Sequence, residues 1–124
     1  MTQCNIFFSN APIQSKIKTL DCRNLALRVD EKGRTPLYVA SCRGRLGAVR
    51  LLRRRMRLTE LDVANDDGQT PLFCAARRNR TEALAYLLAQ GANAGVKDDH
   101  GMSPIYAAAY YGLDGVVEML LNGE

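Results

Sequence analysis

Tryptophan is absent from this chain, aromatics make up only 6% of it, and there is a single histidine, His100. One histidine with no second His or Cys nearby in sequence offers no local ligand set for a transition metal. It also leaves no serine or cysteine with a base beside it for nucleophilic catalysis. The cysteines, Cys4, Cys22, Cys42 and Cys74, are scattered, with no CxxC pair. That spacing excludes a redox or zinc motif and reads as four free thiols used as small packing groups. No apolar run approaches the ~20 residues that cross a bilayer. The Ile6-Phe7-Phe8 run is too short for a signal-peptide core, and no basic residue precedes it. Neither GxGxxG nor GxxxxGK[ST] occurs, so no phosphate cradle is expected. These absences point away from an enzyme, a cofactor or a bound metal. They point toward an intracellular protein, cytoplasmic in preference to nuclear.

What is present begins with charge. The 124 residues are enough for one domain at most. Their net charge of +4 is divided unevenly: +8 through Asp62 and −4 from Val63 onward. Such asymmetry suits an electrostatic partner or head-to-tail self-association.

The most ordered pattern is Gly68–Asn93, GQTPLFCAARRNRTEALAYLLAQGAN. Pro71 fits the first helical position, where its missing N–H costs nothing. Thr70 before it can cap that helix. Leu72, Ala75 and Ala76 make a narrow apolar stripe. Asn79-Arg80-Thr81 breaks it and offers Thr81 as a second cap. Ala83, Leu84, Leu87 and Leu88 recur at helical spacing, and Gly91 stands where a C′ glycine ends a helix. The unit is turn, short helix, tight loop, second helix, stop. It recurs from Asp30 and again from Asp98, with Thr35, Thr70 and Ser103 spaced 35 and 33 residues apart. A period of about 33 residues with a TPL signature marks a helical solenoid, whose units are stable only when stacked.

On these residues the chain resembles the ankyrin repeat family, whose hallmark is D-x-x-G-x-T-P-L-H-x-A-A, a glycine, and a second helix ending in Leu-Leu before Gly-Ala. The resemblance implies an all-α, ankyrin-like helical solenoid of stacked helix-turn-helix repeats with projecting β-turn loops. The expected division is an N-terminal tail over 1–11, a helical half-repeat cap over 12–29 carrying Ile13, Ile17 and Leu20, and repeats at 30–64, 65–97 and 98–124, the last incomplete. The chain departs from the family pattern at several places. Its histidine, which helps tie neighbouring turns together, is replaced by Tyr38, Phe73 and Tyr106. The leading aspartate is Asn65 in the middle copy. The inter-helix glycine, kept as Gly44 and Gly112, is Asn79 there, and asparagine tolerates the left-handed backbone best after glycine. In the first repeat Arg53 falls on a leucine position that the family buries. A longer second helix is expected there, with Met56 or Leu58 filling the gap and the Arg53 head reaching water.

The function that the resemblance implies is recognition of another protein through the turn tips and the concave face of the first helices. Carried over position by position, the partner-binding residues are Arg34, Arg43, Asp67, Gln69, Arg77, Arg78, His100, Met102, Tyr110 and Tyr111. Arginine and tyrosine are the residue types that anchor interfaces. An acidic surface would suit the basic half, and the uncapped third repeat would suit self-association. The Asp66-Asp67 and Asp98-Asp99 pairs read as turn formers and not as metal or acid–base groups. Two other readings stay open. Arg43–Arg57, with seven arginines, could bind nucleic acid or an anionic membrane surface. Against nucleic acid stand the lack of stacking aromatics in that stretch and the acidic second half. The chain could also be a structural fragment of a larger ankyrin-containing protein.

Overall fold

Thr35, Thr70 and Ser103 each sit in extended backbone and each begin a helix with proline at its first position. Their hydroxyls accept from the backbone N–H groups of Tyr38, Phe73 and Tyr106 at 3.1, 3.1 and 3.3 Å. A cap of this kind contributes about 1 kcal/mol. The structure, a computed structural model, describes residues 28–57 and 60–122. The described residues form six helices: α1 Pro36–Cys42, α2 Leu46–Arg54, α3 Pro71–Arg77, α4 Thr81–Ala89, α5 Pro104–Tyr110 and α6 Asp114–Asn122. No β-strand occurs among them. The tail expected over 1–11 and the half-repeat cap of 12–29 lie outside the described residues, apart from Arg28 and Val29, which carry no regular structure.

Helices of seven and nine residues are marginal alone, so stacking must hold them. The short helices α1, α3 and α5 lie side by side in one row, and α2, α4 and α6 form a second row behind them. The first row packs more intimately than the second. Its contact positions are small, with Ala40-Ser41, Ala75-Ala76 and Ala107-Ala108 buried or nearly so. Between the rows lie Leu37, Val49, Leu72, Leu84, Leu87, Val116 and Leu120, all essentially inaccessible. The middle unit is the most enclosed, with every residue from Pro71 to Ala76 buried. Both neighbouring units cover it, as stacking requires.

Each projecting turn is tied by one side chain. Asp30, Asn65 and Asp98 place a single Oδ1 to accept two backbone N–H groups, from Lys32 and Arg34, from Asp67 and Gln69, and from His100 and Met102, all at 2.9 Å. Asparagine supplies the same oxygen, so Asn65 costs the middle turn nothing. Successive turns are joined by backbone bonds, Asp66 N–H to Lys32 O at 2.9 Å and Asp99 N–H to Asp67 O at 3.0 Å. Gly68, at φ 78°, is required twice over. Its backbone is left-handed, and a Cβ there would stand 2.9 Å from the Asp99 backbone nitrogen. Asn79 does take the left-handed conformation, φ 61°, at the place where Gly44 and Gly112 have φ 69° and 71°.

Four sequence expectations are corrected. The second helix of the first repeat is not lengthened: α2 has nine residues, like α4 and α6. The extra residues instead form the irregular segment after Arg54, where Met56 turns inward and is 6% exposed; Leu58 lies outside the described residues. Arg53 does not send its head freely to water. Its Nη1 donates to Met56 O at 2.8 Å, satisfying a carbonyl just beyond the helix end. Thr81 is not a cap. The tight turn at Asn79 lets α4 start one residue earlier, so Arg80 holds the cap position and has no side-chain capping bond. Cys42 and Cys74 are not free thiols but a disulfide joining α1 to α3, with Cα atoms 5.1 Å apart, well within the range that such a bond spans. Cys4 and Cys22 lie outside the described residues.

Candidate interaction surface

The two inter-helix loops of the first two units share a pattern. Arg43 follows α1, Gly44 is left-handed, and Arg45 precedes α2. Arg78 follows α3, Asn79 is left-handed, and Arg80 precedes α4. Stacking therefore sets one arginine pair beside another. The Arg80 side chain crosses to the neighbouring loop. Its Cδ would stand 2.9 Å from a Cβ on Gly44, and its Nε donates to Cys42 O at 3.0 Å, a carbonyl at the end of α1. A side chain at position 44 would displace it. These four arginines, with Arg34 and Tyr38, line a cleft of about 420 Å³ beside the disulfide.

The cleft's charge is unbalanced. Among the described residues Arg34 alone of the cleft's arginines has a carboxylate partner, Asp30, at 2.6 Å. Burial raises the Asp30 pKa, but bonds from the Arg34 and Lys32 backbone and the Arg34 charge outweigh it and hold the carboxyl below its usual range. Among the described residues no carboxylate pairs with Arg43, Arg45, Arg78 or Arg80. Tyr38 is buried, and its hydroxyl donates to Gln69 Oε1 at 3.0 Å. Burial pushes its phenol up, while the positive charges of Arg77, Arg34 and Arg78 pull the other way. That bond also supplies what the missing family histidine would provide, a tie from the first repeat to the next turn.

The residues singled out from the sequence divide into three groups. Arg34, Arg43 and Arg78 meet at the cleft. Tyr110 and Tyr111, 72% and 55% exposed, stand at the end of α5 with their rings edge to face at 5.1 Å. Asp67 and His100 are exposed turn tips, with Met102 half-buried beside them. Two are less available than expected. Gln69 is engaged by Tyr38. The Arg77 guanidinium lies over the Phe73 ring, 6.0 Å from its centre, its Nη2 donates to Cys74 Sγ at 3.9 Å, and its Nε is buried without a hydrogen-bond partner among the described residues. Arg45, Arg80 and Tyr38 are not among the partner-binding residues expected from the sequence, where Tyr38 stands only as the replacement for the family histidine. The available signal was Arg-x-Arg at one repeat's separation around each left-handed residue.

The arginine-rich α2 is not a uniform basic stripe. Arg50 stacks over the Tyr86 ring at 5.6 Å, a cation–π contact, and Arg53 is held by Met56 O. Arg54, Arg55 and Arg57 remain exposed. No group of three His, Cys, Asp or Glu suited to a metal occurs among the described residues. None of the described helices is long and apolar enough to cross a membrane.

Stacked helix pairs, stapled by Asx turns and opened by Thr-Pro or Ser-Pro, define a repeat solenoid of the interaction-module class. A family profile for ankyrin repeats in three copies matches residues 54–124, and a single-repeat profile matches 32–66. The chain belongs to the ankyrin repeat family. Similar curated proteins include human neurogenic locus notch homolog protein 2, 36% identical over 107 residues, and the ANK repeat-containing protein nipk-1 of Caenorhabditis elegans, 30% identical over 109. Human transient receptor potential cation channel subfamily A member 1 is 30% identical over 95 residues. These alignments cover 86%, 81% and 77% of this chain but 4%, 18% and 8% of the relatives. The chain therefore spans a small part of each relative's length.

Proposed function

We propose that this chain recognises a protein partner, without catalysis, through the surface formed by the turn tips and the ends of α1, α3 and α5. The observation that carries this reading is the Tyr110–Tyr111 pair. Two large rings are held against each other yet left mostly in water, although burying such a ring would stabilise the fold. Tyr111 occupies the helix-end position that Arg43 and Arg78 occupy in the other units, and Tyr110 the position before it, where they have Cys42 and Arg77. Tyrosine and arginine together, on a rigid scaffold, are the usual source of interface hot spots. Gln69 and Arg77 contribute less, because each is already engaged within the fold.

The test begins with affinity capture from the source cell, followed by titration of the captured partner. Tyr110→Ala and Arg78→Ala should each weaken binding by roughly tenfold or more, the ordinary size of a hot-spot truncation. Far-ultraviolet circular dichroism should stay unchanged, since both side chains are exposed. Wild-type affinity in both variants would remove the surface assigned here.

A further inference from the structure

The cleft between the first two units carries more than a general interaction face, and its chemistry is specific. Arg43, Arg45, Arg78 and Arg80 converge there with no carboxylate to balance them among the described residues. Their convergence is built by the fold. Each pair flanks a left-handed residue, and the Arg80 stem packs on Gly44 with its Nε fixed to Cys42 O. The disulfide from Cys42 to Cys74 anchors one wall to the other. Arginine forks suit carboxylates, because each fork can donate two parallel bonds. Such bonds need a carrier that offers several carboxylates a few ångströms apart.

We propose that this cleft binds an acidic peptide segment, with runs of Asp and Glu, in an extended form. The proposal rests on the protein-recognition reading above and names the partner chemistry of its basic end. Size and surroundings favour a peptide over a nucleic acid. The cleft of about 420 Å³ reaches Tyr38, which feels the negative charge of the exposed Asp67 on the next turn. A long polyanion running on past Tyr38 would meet that carboxylate, whereas a short acidic segment can end before it. Tyr38, the aromatic of the cleft, is buried and tied to Gln69, so it offers no free face for stacking bases.

The test uses the full chain and a fluorescein-labelled tetrapeptide of alternating Asp and Glu, short enough to end within the cleft, read by fluorescence anisotropy at about 50 mM salt, where screening is weak. A Gln/Ser tetrapeptide and a short single-stranded DNA are run beside it. Binding of the acidic peptide is expected, falling roughly tenfold or more by 300 mM salt as exposed charges are screened. The double variant Arg43→Glu/Arg78→Glu should abolish it. The control Arg54→Glu/Arg55→Glu, which makes the same net charge change on exposed residues of α2 and its end, should leave it within about twofold if the cleft and not long-range attraction holds the peptide. The proposal is overturned by equal loss in both double variants, by tighter binding of the DNA than of the acidic peptide, or by no binding of the acidic peptide. Tyr110→Ala separates this outcome from the broader reading. A captured partner that still depends on Tyr110 while the acidic peptide fails to bind would remove the cleft's role and leave the concave surface standing.

Discussion

Reduction of the Cys42–Cys74 bond is the cleanest perturbation of this fold, because it changes no other side chain. The bond closes a loop of 32 residues. Removing that cross-link returns loop-closure entropy to the unfolded chain, which for this length is worth about 3.7 kcal/mol at room temperature. A domain of this size has roughly 5–15 kcal/mol in total, so the loss is a large fraction. With a urea dependence of about 2 kcal/mol per molar, the midpoint should fall by about 2 M. The assay is urea unfolding with and without a phosphine reductant, in a Cys4→Ser/Cys22→Ser background that prevents exchange with the other thiols. The slope should steepen on reduction, since the released chain exposes more surface when unfolded. Thiol labelling in denaturant supplies the control, with no reactive thiol expected before reduction and two after it. Coincident unfolding curves, or two reactive thiols without reductant, would refute the reasoning. The pair would then be neighbouring thiols in a packed interface. The result also bears on where the protein works, since a reducing compartment holds most such pairs open.

Two further predictions concern single atoms. Ser41 is fully buried, and its Oγ has no hydrogen-bond partner among the described residues. Leaving such a group unpaired costs about 1–3 kcal/mol, so Ser41→Ala should raise stability by about 1 kcal/mol. The second repeat has Ala76 at the equivalent position, fully buried. A lower urea midpoint for the variant would mean that the hydroxyl has a partner after all. Asp62 accepts the Asn93 N–H at 3.3 Å, yet burial outweighs that bond and raises its pKa above 3.8. A raised carboxyl favours the protonated folded state, so its ionisation at neutral pH works against folding. Asp62→Asn keeps an oxygen for Asn93 and removes the charge. Its melting temperature should match or exceed wild type above the folded-state pKa, with the gap closing as pH falls toward 3.8. A variant less stable at neutral pH would show that the ionised oxygen matters more than its desolvation.

The repeat architecture was legible because its signals are local. Thr-Pro or Ser-Pro at the start of α1, α3 and α5, a left-handed residue between helices and Gly91 after α4 each act within a few residues. Gly91, φ 93°, ends α4 with its N–H bonded to Leu88 O at 3.1 Å, while Ala92 N–H bonds Leu87 O at 3.0 Å. What the sequence concealed depends on which residues face each other across repeats. Cys42 and Cys74 do not occupy equivalent positions. Counted from the capping threonines, Cys42 is the counterpart of Arg77 and Cys74 that of Val39. Only the packing of α1 beside α3 brings them together. The fate of Arg53 was hidden for a related reason. Its position matches a leucine by count, but the irregular segment after α2 presents Met56 O as a partner.

The substitutions away from the family pattern also explain why the candidate surface lies where it does. Asn65 for aspartate, Asn79 for glycine and Tyr38 for histidine each preserve a structural bond or conformation: a double Asx acceptor, a left-handed turn, a tie to the next repeat. At these three positions the replacement does the same physical work, whereas Phe73, at the histidine position of the middle unit, has no side-chain donor for such a tie. The residues flanking each left-handed turn follow no such rule. They are Arg43 and Arg45 in the first unit, Arg78 and Arg80 in the second, and Tyr111 and Leu113 in the third. The fold engages Arg80, through Cys42 O, and Leu113, which packs against the core, but leaves Arg43, Arg45, Arg78 and Tyr111 exposed. Recognition can thus change along the stack without touching the core. A net charge of +4 averaged over the chain hides this, because the field a partner meets is set by the stacked loops. At one end it is four arginines around a cleft, and at the other an exposed tyrosine pair. A partner that satisfies both ends must carry carboxylates and an apolar group in fixed order, which gives the surface a direction as well as a charge.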